Sequence, residues 1–317
     1  MKGKGKFLFH VLAFLTMALW GVTFVSTKIL INSGLTPAQI FTIRFVIAYS
    51  GLWIICFAKG GENRRLTSDS RKHELVFLIL GITGGSMYFL TENSALAHTQ
   101  ACNVSFIVCM APLLTTILTL IIRKVCRNSF SEKLENVRIG LPLILGTVLA
   151  LGGMAMVIFD GVSLSLSPKG DILAFLAALC WAVYSQFMSQ MSGRYGTFMA
   201  TRKVFFYGLL TIVPVLLLSD NSNLSEVSWG SLPVWGNLLF LAIMASLVCF
   251  LVWNRVMAAI GNVTSTNYVY LNPVFTLIGA VIILGESMTL KSGLGSAMIL
   301  AGVIISGGRI GLEKKKI

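Results

Sequence analysis

The 317-residue chain is poor in charge, in acid and in histidine. Only 12% of its residues are charged against 56% hydrophobic, and mean hydropathy is +0.83. So little polar surface cannot clothe a soluble domain, which excludes that class. Three histidines in all (His10, His73, His98) exclude a His-rich metal site. The six cysteines (Cys56, Cys102, Cys109, Cys126, Cys180 and Cys249) form no CxxC pair and lie mostly in apolar runs. Cysteine there acts as a small hydrophobe, so neither a disulfide framework nor a zinc site is expected. No HExxH, GxSxG or intramembrane Asp pair occurs, which speaks against an intramembrane enzyme. No GxxxxGK[ST] loop occurs either, so this chain is not expected to hydrolyse ATP. No cofactor is expected. Acids number 12 against 25 basic residues, for a net charge of +13. That balance does not point to nucleic acid, because the bases fall in short clusters between apolar stretches, where they encode membrane topology.

The sequence does contain long apolar runs. A span needs about 20 mostly apolar residues. Ten candidates run roughly 7–30, 37–58, 74–97, 100–122, 138–159, 170–190, 199–218, 233–257, 262–284 and 291–310. The first follows Lys2, Lys4 and Lys6 but is too long for a signal-peptide core, and it is expected to stay as a helix. Ten spans put Lys59, Arg64, Arg65, Arg71, Lys72, Arg123, Lys124, Arg127, Lys133, Arg138, Arg194, Arg255, Arg309 and Lys314–Lys316 on one side. The other side holds Lys28, Lys169 and Lys291 with Asp160, Asp171, Asp220, Glu226 and Glu286. The positive-inside rule therefore places both termini in the cytoplasm, in a bacterial inner (plasma) membrane, with the lipid bilayer as partner.

The chain also repeats itself. Trp20 and Trp181, Asn93 and Asn254, and Pro112 and Pro273 each lie 161 residues apart. Arg44 and Tyr49 resemble Arg202 and Tyr207, and the glycines of the fifth run resemble the small residues of the tenth. Two units follow, at 7–159 and 170–310, each of five spans. Five is odd, so the second unit starts on the opposite side and the repeats are inverted. The fold class expected is an all-α integral membrane protein of ten transmembrane helices in two inverted five-helix repeats.

This ordered set resembles the EamA family of the drug/metabolite transporter superfamily. Trp20-Gly21 and Trp181-Ala182 open the two units, and Ala111-Pro112 and Asn272-Pro273 sit in their fourth helices. The stretch LNPVFTLIGAVIILGESMTLKSGLGSAMILAGVII is the most typical, with Glu286 at a helix end. The first copy departs from it, having Val125 at the equivalent position and Glu132 nearby. The resemblance implies transport of small metabolites, amino acids and drugs among them, without choosing a substrate.

Several residues could carry transport. Trp20 with Thr23, and Trp181 with Tyr184 and Ser185, share helix faces and would give two indole walls to a cavity; the alternative is plain packing. Pro112 and Pro273 free the carbonyls of Val108 and Val269, as hinge, polar ledge or static kink. Glu92 is an intramembrane carboxylate suited to proton coupling, unless it sits near the outer surface above His98. Arg44 would pair with an anionic substrate or with Glu92, or anchor a helix end. Arg202 and Lys203 would snorkel. Tyr88, Asn103, Asn254, Asn267, Tyr268 and Asn272 complete the expected substrate pathway, or bond between helices. The leading reading is a secondary transporter of a small-molecule substrate, taken as an exporter, working by alternating access around a midplane cavity. A non-transporting receptor is the alternative. Oligomeric state is open between monomer and homodimer.

Overall fold

The computed structural model describes residues 3–99, 101–125, 140–158, 167–219, 222–284 and 290–307, and all secondary structure among them is helical. The helices are α1 Gly3–Asn32, α2 Pro37–Lys59, α3 Arg71–Gly81, α4 Met87–His98, α5 Ala101–Val108, α6 Ala111–Val125 and α7 Leu141–Ile158. The chain continues with α8 Pro168–Tyr195, α9 Thr197–Leu218, α10 Leu232–Leu239, α11 Cys249–Ile260, α12 Asn262–Thr266, α13 Asn272–Leu284 and α14 Leu290–Gly307. Among the described residues six helical runs are long and apolar enough to cross a membrane: Phe7–Asn32, Pro37–Lys59, Arg71–His98, Pro168–Tyr195, Thr197–Leu218 and Leu232–Ile260. The other four expected stretches carry helices that are shorter or broken. Glu132, Asp160, Asp220, Glu286 and Lys314–Lys316 lie outside the described residues.

Local sequence explains where helices start. Thr36-Pro37-Ala38-Gln39 is a capping box. Thr36 Oγ1 accepts from Gln39 N–H at 3.3 Å and Gln39 Oε1 accepts from Thr36 N–H at 2.9 Å, with Pro37 preset for the first turn. Ser70, Ser167 and Ser231 cap α3, α8 and α10 in the same sense. At the C-terminal end of α4, Lys28 Nζ donates to Leu96 O at 2.5 Å and Thr99 O at 3.2 Å, answering both orphan carbonyls and the negative helix end.

The expected fourth and ninth spans are not continuous helices. The fourth stops at a turn through Cys109 and Met110, and the ninth tightens into a 3₁₀ segment at Asn267–Leu271. Each break precedes a proline (Pro112, Pro273), whose ring removes a donor and clashes with the carbonyl four residues back. The third and eighth runs are irregular too. Ile82–Ser86 and Phe240–Val248 are π-helical, and the first carries Gly85 at φ −127°, ψ −107°. Shifted by 161 residues, the segment 82–86 falls inside Phe240–Val248, and the Cys109–Met110 turn falls at Tyr270–Leu271.

Packing exchanges the two halves. α1 packs on α11 and α13, and α8 packs on α4 and α6; α2 lies on the second π segment, and α9 lies on α3 and the first π segment. α7 pairs with α14 within the monomer. A Cβ on Gly302 would meet Gly146 O at 2.5 Å, and one on Gly153 would meet Gly295 O at 2.4 Å. Those glycines let two backbones touch, as the small residues of the fifth and tenth runs suggested. The whole is apolar outside and polar within. Leu218, Leu232 and Ile282 are exposed, while Arg44, Asn93, Gln186 and Asn254 are buried. That inversion suits a hydrocarbon solvent, in which every polar group needs an internal partner.

Candidate functional site

The centre of the bundle is aromatic. The Trp20 and Trp181 rings meet edge to face at 5.3 Å between centroids, and Trp20 also contacts Trp253 at 5.3 Å and Phe250 at 5.5 Å. Trp181 continues the cluster to Tyr88 at 5.1 Å. The two tryptophans thus form one aromatic corner rather than two facing walls. They are not equivalent. Trp20 Nε1 donates to Ala245 O at 2.9 Å, a carbonyl in the second π segment. Trp181 Nε1 is buried with no hydrogen-bond partner.

Beside this corner lies a cavity lined by Trp20, Thr23, Phe24, Arg44, Tyr88, Phe89, Glu92, Val108, Trp181, Phe250, Val269 and Asn272. These residues come from both halves of the chain. Water-sized centres can occupy ≈ 30 Å³ of it, room for about two waters at roughly 10–15 Å³ each. A metabolite therefore enters only when the helices part.

One cation and one carboxylate face this space. Glu92, 7% exposed, accepts from Tyr88 Oη–H at 2.7 Å, a bond between residues one helical turn apart. It is not at the surface above His98. Arg44, 2% exposed, donates from Nε to Ser246 Oγ at 2.8 Å and places its guanidinium 4.4 Å from the Phe89 ring centre. Among the described residues no ion pair joins Arg44 to Glu92, so each keeps capacity for another partner. Asn272 Oδ1 is a second buried atom without a partner, and Asn272 also lines the cavity. Buried polar groups are normally paired, so an unmet donor on Trp181 and an unmet acceptor on Asn272 ask for a ligand or water. The proline breaks add to the lining. Val108 and Val269, whose carbonyls Pro112 and Pro273 free, both border the cavity, and Val269 O accepts from Cys109 Sγ at 3.2 Å.

Other expected pathway residues lie elsewhere. Tyr184 Oη–H donates to Asn254 Oδ1 at 2.5 Å, and Asn254 Nδ2 donates to Thr201 Oγ1 at 2.9 Å, tying α8, α11 and α9 together. Ser185 Oγ is spent on Trp181 O at 2.8 Å. Asn267 and Tyr268 line a different, peripheral groove. The Asn103 side chain lies outside the described residues. Phe24, Phe89 and Phe250 were missed by sequence reading, being three phenylalanines among 20 with no local mark. Ser246 was missed as well, although the repeat marks its neighbourhood.

The halves are fastened differently at the two ends of α2, whose 23 residues span about 35 Å. Past its C-terminal end the fastening is ionic. Lys203 Nζ donates to Glu74 at 2.7 and 2.8 Å, Tyr207 Oη–H donates to the same carboxylate at 2.6 Å, and Arg194 meets Asp69 at 3.2 Å. Arg65, hydrogen-bonded to Asp69, holds that carboxyl below its usual range. Arg202 donates to the carbonyls of Asn63 and Arg65 and lies over Trp53 at 4.2 Å. Arg202 and Lys203 are thus held by protein groups and do not snorkel to water. At the N-terminal end of α2 the fastening is neutral: Gln39 and Asn223 exchange amide hydrogen bonds at 2.9 Å, and Asn223 donates to Gly34 O at 2.6 Å.

Comparison with known proteins gives a consistent picture. The model of the EamA-like transporter family matches residues 8–159 and 168–308. An uncharacterised transporter of Archaeoglobus fulgidus is 27% identical over 94% of this chain and 96% of its own. A probable amino-acid metabolite efflux pump of Escherichia coli is 22% identical, covering 93% of each chain. A solved crystal structure superposes with a TM-score of 0.70 over 96% of both chains at 17% identity, a likeness of fold.

Proposed function

The chain belongs to the EamA-like transporter family, and from that premise we propose that it is a secondary transporter of small zwitterionic metabolites, amino acids with apolar side chains foremost. The observation that carries this is the cavity shared by both halves, with Arg44, Glu92 and an aromatic corner on its walls. Arg44 is the group for a substrate carboxylate, Glu92 for an ammonium, and Trp20, Trp181 and Phe250 for the side chain. The name borne by the Escherichia coli relative agrees with that class and with export.

The protein works by alternating access, with two inverted five-helix units, 7–159 and 170–310, rocking about the cavity. Support comes from the 161-residue spacing, from the π segments and proline breaks that recur at it, and from the exchanged packing of the two halves. Ten spans with both termini in the cytoplasm of a bacterial inner membrane follow from the basic loops. Cysteine substituted at His98 or Ser228 is expected to react with an impermeant thiol reagent from outside the cell, and at Leu66 only after the membrane is opened. The reverse pattern would overturn the topology.

The function itself is tested by counterflow. Proteoliposomes preloaded with a panel of amino acids are expected to accelerate uptake of the matching labelled solute. Specific binding with no flux for any preloaded pool would identify a receptor instead.

A further inference from the structure

The largest open space in the described residues is not the central cavity. A groove of ≈ 480 Å³ runs along the perimeter between the start of α1 (Phe7, His10, Val11, Phe14), the α12–α13 junction (Thr264, Asn267, Tyr268, Leu271) and the end of α14 (Leu300, Ile304). Its volume lies within the roughly 300–1,000 Å³ usual for ligand sites. Both bounding helix faces are apolar and open: Phe7 is 71% and Ile304 72% exposed. One wall is polar. His10 Nδ1 and Tyr268 Oη share a hydrogen bond of 2.8 Å, and Asn267, only 3% exposed, has an Nδ2 with no partner among the described residues. The repeat does not reproduce this wall. Positions 161 residues from His10, Asn267 and Tyr268 hold Asp171, Phe106 and Ile107.

The groove opens at the membrane face where α1 begins and α14 ends. There the sequence is strongly basic. Lys2, Lys4 and Lys6 precede the apolar part of α1, and Arg309, Lys314, Lys315 and Lys316 follow α14, against a single acid, Glu313. Basic clusters beside a transmembrane helix attract anionic headgroups by about 1 kcal/mol per Lys or Arg. An apolar slot, a hydrogen-bonding shelf and a positive mouth together match an anionic phospholipid. We infer that this groove binds one anionic phospholipid of that leaflet, with an acyl chain along Phe14, Leu271 and Leu300. The ester and headgroup region lies toward Asn267 and the His10–Tyr268 pair. The site is independent of the central cavity and does not rest on the substrate assigned there.

The test uses the purified full-length protein in dodecyl maltoside micelles doped with dioleoyl phosphatidylglycerol or, at equal mole fraction, dioleoyl phosphatidylcholine. Phosphatidylglycerol is expected to raise the apparent Tm by at least about 2 °C more than phosphatidylcholine. It should also persist as a single adduct in native mass spectrometry. Val11→Trp fills the groove from α1 and Ile304→Trp narrows it from α14. Each is expected to melt normally in plain detergent and to lose both the increment and the adduct. Equal response to the two lipids, or an undiminished increment in whichever variant folds, overturns the assignment. Lipid binding that appears only after removal of residues 308–317 does so too, since it gives the groove to the chain's own tail.

Discussion

Trp181→Ala is expected to cut counterflow of the transported amino acid at least about tenfold while leaving the protein folded. Trp181 stands against Trp20 and Tyr88 at 5.3 and 5.1 Å and brings an indole N–H that no protein group answers. Its loss removes one wall and one donor from the cavity. Aromatic contacts contribute about 0.5–1.5 kcal/mol each beyond buried area, and about 1.4 kcal/mol is a factor of ten. Trp181→Phe keeps the wall without the donor and should fall between the two. Trp20→Ala differs in kind, because it also leaves Ala245 O without its bond from the indole. That variant should lose thermal stability along with transport. Normal counterflow by well-folded Trp181→Ala would remove the residue from the substrate path.

Glu92→Gln is expected to abolish uptake driven by a pH gradient while counterflow, which needs no gradient, persists. The substitution is close to isosteric, and its carbonyl oxygen can still accept the Tyr88 Oη–H bond of 2.7 Å. What disappears is the titrating proton and the negative charge across the cavity from Arg44. A proton-coupled carrier must take up and release that proton once per cycle, and Glu92 is the carboxylate that lines the cavity. Removing one buried charge leaves the other less compensated, so thermal stability should be followed in parallel. Gradient-driven uptake that survives in Glu92→Gln would place coupling elsewhere, or in an exchange mode without protons.

Much of this was legible in the sequence because it is governed by local chemistry. Apolar length marked the helices, Thr36-Pro37-Ala38-Gln39 marked an N-terminus, and Pro112 and Pro273 marked the weak points of two helices. The prolines were read as kinks, yet in the fourth run the helix ends and restarts, and in the ninth it narrows to 3₁₀. Seven expected site residues do meet at the cavity: Trp20, Thr23, Arg44, Tyr88, Glu92, Trp181 and Asn272. The two prolines stand just past its lining valines.

What escaped was non-local. Arg44 finds Ser246 across 202 residues, and Tyr184 finds Asn254 across 70, so no spacing rule could show that Tyr184 and Asn254 satisfy each other. The π segment at Phe240–Val248 has no glycine to announce it, unlike Ile82–Ser86, and it supplies the carbonyl that distinguishes Trp20 from Trp181. Polarity alone could not separate Asn272 in the cavity from Asn267 in the peripheral groove, because the 3₁₀ turn between them changes their direction. The asymmetries noted between the two units at Glu92 and Trp253 are real in space. Glu92 lines the cavity, and Trp253 is fully buried behind it against Trp20.

The most direct measurement places a single cysteine at Val108, on the cavity wall, in a protein whose six native cysteines are replaced. Alternating access predicts that a small impermeant thiol reagent reaches it from the outside in some molecules and from the inside in others. The transported amino acid should protect it from both. Reactivity from one side alone, or none from either, would contradict a carrier that exposes this cavity to each face in turn.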